Sequence, residues 1–339
     1  MRVNAKALLS ACNEAKFYTK ARGLAVDTAI VLRRDAGGPL RVSAGFLHRL
    51  TTAIDCEADA PFAAAVDART LIATLKTLDG DVVLSAEPGK LVLTAATSTK
   101  LPLIASDFPK DMSAAAALVA VNAAMAIRQI DEVAYAMSKD DTRPRLTAMR
   151  FESGYTVASD GSRLAKSASA DTRVPDMTLP RDAVPLFRRA LKGSTGLAVV
   201  GPRLCVTSAR STHWFTLSDA PFPPWRQVVP RHHTHTARFD AASLRSSVAL
   251  LLGDKSTWRF TESACEVSAD GCAERVELTA PVSPFTSIAL NPAYVADALE
   301  HIGAAQTIEM RMNGELDPVV FAVEGSDAIH LVMPMRSRP

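Results

Sequence analysis

VNAKALLSACNEAKFYTK (residues 3–20) has two weaker echoes further along the chain, VNAAMAIRQIDEVAYAMSK (121–139) and FDAASLRSSVALLLGDK (239–255). Each opens with an apolar residue, then Asn or Asp, then Ala, and continues as an amphipathic helix ending near a lysine. The starts are 118 residues apart both times. Asn4, Asn122 and Asp240 are placed to cap these helices, because a short side-chain oxygen accepts from the free N–H groups of a first turn. In the middle copy Met125, Ile127, Ile130, Val133, Ala134 and Met137 fall mostly on one helical face. Equal spacing predicts three copies of one building block rather than three unrelated helices.

A second helix is predicted inside each third: VDARTLIATLK (66–76), LPRDAVPLFRRALK (179–192) and LNPAYVADALEHI (290–302). Asp67 and Asn291 read as N-caps, and Pro292 takes the first helical position, where a missing N–H costs nothing. Short alternating strands follow each second helix (81–95, 196–209, 307–324), broken by the turns EPGK, GP and NGEL. The fold class is therefore α+β, with three tandem domains over residues 1–117, 118–230 and 231–339. Each carries two helices packed on antiparallel sheets. The boundaries fall at DFPKDM (107–112) and PFPPWRQVVPRHHTHT (221–236).

Of the 339 residues 48% are apolar, 22% charged and 6% aromatic, the profile of a globular protein with an aliphatic interior. No apolar run is long enough for a membrane span, and the amino-terminal stretch lacks the continuous apolar segment of a signal peptide. Five cysteines without CxxC spacing argue against a disulfide framework or zinc cage and for a reducing compartment. The net charge of +2 is uneven: the thirds carry +2, +5 and −5. A basic middle third could face a polyanion.

There is no phosphate loop, dinucleotide fingerprint, nucleophile elbow or HExxH motif. SDGSR (159–163) reads as a turn, with Asp-Gly at the bend. RHHTHT (231–236) has no acidic or cysteine partner nearby and reads as a solvated linker rather than a metal site. No metal, cofactor or catalytic residue is predicted. What remains is scattered basic residues on the helices and their exits: Lys6, Lys16, Lys20, Arg22, Arg69 and Lys76, then Arg128, Lys139, Arg143, Arg145, Arg181, Arg188, Arg189 and Lys192, then Arg245 and Lys255. They are either one basic side across two domains or ordinary solvated helix faces.

Four stretches resemble the bacterial DNA polymerase III beta subunit, the sliding clamp. TVASDGSRLAKS (156–167), following SKDDTRPRLTAMRFE (138–152), is similar to the family's Ala-Thr-Asp-Gly-His-Arg-Leu. FPPWRQVVP (222–230) resembles Phe-Pro-x-Tyr-Arg-x-Val-x-Pro. LNPAYVADAL (290–299) resembles a helix start, and LVMPMR (331–336) resembles the carboxy-terminal Val-Met-Pro-Met-Arg.

The resemblance implies a head-to-tail homodimer of three-domain chains, a ring around double-stranded DNA bound without sequence preference. It implies no enzyme activity, no membrane association and a cytoplasmic, nucleoid-associated place. DNA would be met by Lys20, Arg22, Arg69, Lys139, Arg143, Arg145, Arg188 and Arg189. A groove between domains 2 and 3 would take short apolar motifs of the polymerase III alpha subunit, the clamp loader, other polymerases and repair proteins. Its residues would be Leu146, Ser159, Gly161, Ser162, Arg163, Leu164, Pro223, Gln227, Val228, Val332, Met333, Pro334, Met335 and Arg336. The dimer seam would use Ser98, Lys100, Leu250 and Leu251. The chain departs from the family's pattern at several points. Ser162 replaces a histidine, Gln227 stands where arginine is common, and Ser337–Arg338–Pro339 extend the usual end. Ser98 and Lys100 replace apolar residues on an edge strand, where a lysine discourages pairing. VSAGFLHRL (42–50) lacks the family's Asp-Leu-Glu pattern, and a net charge of +2 is less acidic than the family leads one to expect. These departures leave a second reading open: an accessory module that binds peptides without closing a ring.

Overall fold

The structure is a computed structural model and describes residues 1–21, 23–105, 108, 117–168, 173–282, 287–302 and 307–336. The first repeat contains β1 (Arg2–Asn4), α1 (Ala5–Ala15), the single-turn α2 (Ala25–Thr28), β2 (Ala29–Arg34), β3 (Leu40–Ala44), β4 (Arg49–Ile54), β5 (Phe62–Asp67), α3 (Ala68–Leu75), β6 (Asp81–Glu87), β7 (Lys90–Thr94) and β8 (Ser98–Pro102). The second contains α4 (Ala123–Val133), β9 (Ala148–Glu152), β10 (Tyr155–Ser159), β11 (Arg163–Ala168), β12 (Met177–Pro180), α5 (Val184–Leu191), β13 (Ser194–Val200), β14 (Arg203–Ser208) and β15 (Ser211–Thr216). The third contains β16 (His235–Asp240), α6 (Ala241–Ala249), β17 (Ser256–Phe260), β18 (Ala264–Ala269), β19 (Cys272–Ala280), β20 (Ser287–Leu290), α7 (Pro292–His301), β21 (Thr307–Met312), β22 (Val319–Ala322) and β23 (Ile329–Val332).

The caps explain why the helices start where they do. Asn4 Oδ1 accepts from the Ala7 N–H (3.1 Å), and Asp240 Oδ1 from that of Ser243 (2.8 Å). Asp67 and Asn291 do the same for α3 and α7. Each bond satisfies an otherwise orphaned donor and contributes about 1 kcal/mol.

Each repeat is a doubled half: a lead strand, a helix and a three-stranded meander, twice over. The lead strand of one half pairs with the first meander strand of the other, as β1 with β6 and β5 with β2, or β16 with β21 and β20 with β17. In the second repeat β12 pairs with β9, and a bridge between Val119 and Leu197 stands where a lead strand would be. Two joints then link successive repeats, always third meander strand to third meander strand. They are β4 with β15 and β11 with β23, both antiparallel.

These joints tie the halves of the second repeat to different neighbours. The chain accordingly forms two compact units, residues 1–123 with 185–217, and 124–184 with 218–339. In the first unit Leu8, Leu32, Leu50 and Leu71 are fully buried. In the second, Phe239, Leu244, Trp258, Leu299 and Phe321 share one core.

Each joint carries the same polar tie. Tyr18, in the 3-10 turn after α1, meets His213 Nδ1 of β15 through its hydroxyl at 2.7 Å. Tyr135, in the 3-10 turn after α4, meets His330 Nδ1 of β23 at 2.9 Å. Burial, aided by nearby Arg189, pushes His213 down to about 4. Burial, aided by His301, pushes His330 down to about 3. Both imidazoles are therefore neutral at pH 7, which lets them share a buried bond with a phenol at no charge cost.

Among the described residues two third strands make no such joint. β8 is the last strand of its sheet, β1-β6-β7-β8. β19 pairs with β18 throughout but with β16 only at Leu278 and Ala280, so residues 272–277 have no second strand among the described residues.

Candidate peptide-binding groove

SDGSR forms the turn expected of it. Asp160 Oδ1 accepts from the backbone N–H groups of Ser162 (2.9 Å) and Arg163 (3.0 Å). Gly161 sits at φ +93°, a conformation that favours glycine. Ser159 Oγ donates to the Arg163 carbonyl (2.7 Å) and accepts from the Gly161 N–H (3.1 Å). The turn is thus fixed by its own side chains before anything packs on it.

Arg163 anchors the turn to the third repeat. Its Nε donates to Asp160 Oδ2 (2.9 Å), one terminal nitrogen donates to Asp297 Oδ2 of α7, and the other to the Tyr135 carbonyl (3.1 Å). The guanidinium also lies over the rings of Tyr294 (4.6 Å) and Tyr135 (5.2 Å). Two carboxylates already neutralise it, so its role at the groove is to position the turn.

The carboxy-terminal strand completes the wall. β23 pairs with β11, Leu331 opposite Leu164 and Val332 opposite Arg163. Beyond it the Met333 N–H donates to the Ser162 carbonyl (2.8 Å) and the Met335 N–H to the Ala289 carbonyl (2.7 Å). Successive residues of a strand point to opposite faces. Val332 therefore enters the core of the third repeat, while Leu331 joins Val157, Leu164, Val320 and Trp225 on the other face. The 222–228 segment crosses that second face, with Trp225 edge-on to Tyr155 (6.1 Å).

Between them lies an apolar cavity of about 230 Å³. Eight of the expected residues line it: Leu146, Ser159, Gly161, Arg163, Leu164, Pro223, Val228 and Met333. Phe222, Trp225 and Leu331 also line it and were missed in the sequence. The alternation that puts Val332 inward points Leu331 outward, so β23's facing would have found Leu331. Val332 is corrected from groove to core. Ser162 contributes its backbone carbonyl rather than a lining side chain, and Pro334, Met335 and Arg336 are not part of the lining. Gln227 is corrected too. It lines a polar cavity of about 630 Å³ beyond the Phe222–Pro223–Trp225 wall, with Arg150, Glu152, Asp219 and Arg226. There Arg150 and Arg226 both bond Glu152 and hold its carboxyl below the usual range against the opposing effect of its burial.

The expected DNA-facing residues are less uniform. Lys139 and Arg145 are exposed on the 138–147 segment beside the groove turn. Arg143 is held locally: it pairs with Asp140 (3.2 Å) and donates to the Asp160 carbonyl (3.3 Å). Lys20 is 3.4 Å from Asp27, Arg69 donates to the Ala21 carbonyl (3.4 Å), and Arg189 covers the exposed ring of Phe17 at 3.8 Å. Arg188 is half-buried beside it. Arg22, DFPKDM in large part and Ser337–Pro339 lie outside the described residues.

At the expected seam Leu251 is buried in the core of the third repeat, so it is corrected: the exposed leucines are Leu250 and Leu252. Lys100 Nζ is engaged by Glu87 across the hairpin at 2.7 Å, and Ser98 stands at the start of β8. Of RHHTHT only the first part is a connection, with His232 and Thr234 tied through Asn313; His235 and Thr236 are corrected from linker to the start of β16, paired with β21. No group of three metal-ligating side chains occurs among the described residues. No helix there is long and apolar enough to cross a membrane.

Three repeats of paired helices and antiparallel meanders, with a groove where the second and third meet, define the sliding-clamp architecture. Comparison with known proteins agrees. The structure superposes on the Pseudomonas aeruginosa DNA polymerase III subunit beta with a TM-score of 0.89, over 99% of this chain and 100% of that one, at 22% identity. The sequence is 28% identical to the Pseudomonas aeruginosa beta sliding clamp over 299 residues, 80% of this chain and 81% of the relative. It is 27% identical to the Caulobacter vibrioides beta sliding clamp over 312 residues, 82% and 83% of the two chains. No family model matches. The chain is thus similar in sequence to curated beta sliding clamps and has the fold of the bacterial DNA polymerase III beta subunit.

Proposed function

We propose that this chain is a non-catalytic sliding clamp that closes as a head-to-tail homodimer around duplex DNA and tethers DNA polymerase III for processive synthesis. Short apolar motifs of the polymerase alpha subunit, the clamp loader, other polymerases and repair proteins bind the groove lined by Leu164, Trp225, Leu331 and Met333. Burying two bulky apolar side chains there contributes roughly 3–6 kcal/mol. Lys20, Arg69, Lys139, Arg145, Arg188 and Arg189 meet phosphates, with Arg22 the remaining candidate. Such contacts attract without fixing a register, so the ring can slide.

The observation that carries the reading is the pair of unmatched third strands. Within the chain such strands join successive repeats twice, and β8 and β19 are the two ends of that series. An exposed strand edge is a template for pairing, and a second copy offers the matching edge. Sedimentation velocity at about 10 μM, far above the Kd range of stable interfaces, tests this. A species of twice the chain mass is expected. A monomer at that concentration would leave the peptide-binding accessory module as the better reading.

A further inference from the structure

The polar cavity differs from the apolar groove in what it leaves unsatisfied. The two share a wall of Phe222, Pro223 and Trp225, so a chain seated in the groove and running on past the wall reaches the cavity. The cations there are already engaged. Arg226 donates to Glu152 and lies over the Trp225 ring at 4.4 Å. Arg150 bonds Glu152 (3.4 Å) and Thr178 (3.4 Å), and one terminal nitrogen is 3.7 Å from Asp176. Asp219 lines the cavity with an exposed carboxylate that has no hydrogen bond or ion pair among the described residues. Two guanidiniums, Arg150 and Arg226, thus meet three carboxylates, Glu152, Asp176 and Asp219, and one negative charge is left over. Trp225 is only 7% exposed, and its indole Nε1–H is buried with no acceptor among the described residues. A buried donor without a partner costs free energy that a bound chain's carbonyl would recover.

We infer that this cavity takes a lysine or arginine side chain flanking the apolar pair of a groove-bound peptide, with its cation on Asp219. This rests on the peptide-binding groove proposed above and adds a charge preference to it. A flanking acid is the alternative occupant, and the contacts disfavour it. Glu152 already holds both guanidiniums, so an incoming carboxylate meets no free cation. Gln227 completes the preference. The resemblance drawn from the sequence leads one to expect arginine there, whose charge would cancel the surplus carboxylate; the neutral amide leaves it in place. Because Asp219 is exposed, its pair with a bound cation is screened by solvent, and the preference amounts to about two- to fivefold in affinity. The apolar groove then supplies most of the affinity, and the cavity discriminates between flanks.

Fluorescence anisotropy on the full chain tests this, with labelled peptides that carry the same two bulky apolar residues and a lysine, an alanine or a glutamate on one side or the other. Lysine on one side is expected to bind about two- to fivefold tighter than alanine, and glutamate on that side no tighter than alanine. The lysine advantage should fade at about 0.5 M salt, where exposed pairs are screened. It should vanish in Asp219→Asn and shrink in Gln227→Arg, while affinity for the alanine peptide stays unchanged in both. Both positions are exposed, so these variants keep the fold. Suppose the alanine peptide binds but lysine gives no advantage, gives it equally from both sides, or keeps it in Asp219→Asn. The inference is then overturned and the groove stands. A glutamate advantage overturns it as well and gives the cavity to Arg226. If none of the peptides binds, the groove itself is misassigned and the inference falls with it.

Discussion

Removal of residues 333–339 is expected to weaken binding of a labelled peptide carrying two bulky apolar residues by about 10- to 100-fold, the loss of one well-buried apolar contact. Met333 supplies a wall of the cavity, and its unbranched, polarizable side chain can repack around different occupants. The truncation also loses two backbone hydrogen bonds, from Met333 to Ser162 and from Met335 to Ala289, at about 1 kcal/mol each. β23 itself stays paired with β11 and β22, so circular dichroism and cooperative unfolding should be retained. Met333→Asp keeps the backbone bonds and should weaken binding comparably. Fluorescence anisotropy reads both. Undiminished affinity in either variant would show that peptides do not use this cavity.

Arg163→Met is expected to cost about 3 kcal/mol of stability, the low end for breaking a buried ion pair because Asp297 is partly exposed. The substitution keeps the length of the side chain but strips Asp160 of its counter-charge in a site where that carboxylate is only 15% exposed. It also removes the bond to the Tyr135 carbonyl and the stacking on two tyrosines. Asp297→Asn should cost less, about 1 kcal/mol, since Arg163 keeps Asp160. Urea unfolding measures both. A change below about 0.5 kcal/mol for Arg163→Met would mean that the guanidinium is not what holds the groove turn to the third repeat.

The repeat was legible because its signals are local. Asn4, Asp67, Asp240 and Asn291 cap helices through bonds spanning two or three residues, and such short-range chemistry is written directly in sequence. The Asp160–Gly161 turn was legible for the same reason. The joints were not: Leu50 and His213 pair across more than 160 positions, and nothing near either residue announces the other. Facing was the other blind spot. Leu251 and Val332 were expected at surfaces, but each sits one residue from the exposed or groove-facing neighbour, Leu252 or Leu331. A one-residue difference of facing is set by pairing and packing, not by residue type. The partner of Lys100 is likewise non-local in the sequence pattern: Glu87 meets its Nζ across the hairpin.

The most direct measurement is retention on nicked circular DNA after loading by an ATP-driven clamp loader, followed by linearisation. A topological link predicts that the protein stays on the circle, survives a rise in salt that strips phosphate contacts, and leaves once the DNA has ends. Protein that leaves circular and linear DNA at the same rate would contradict the encircling clamp.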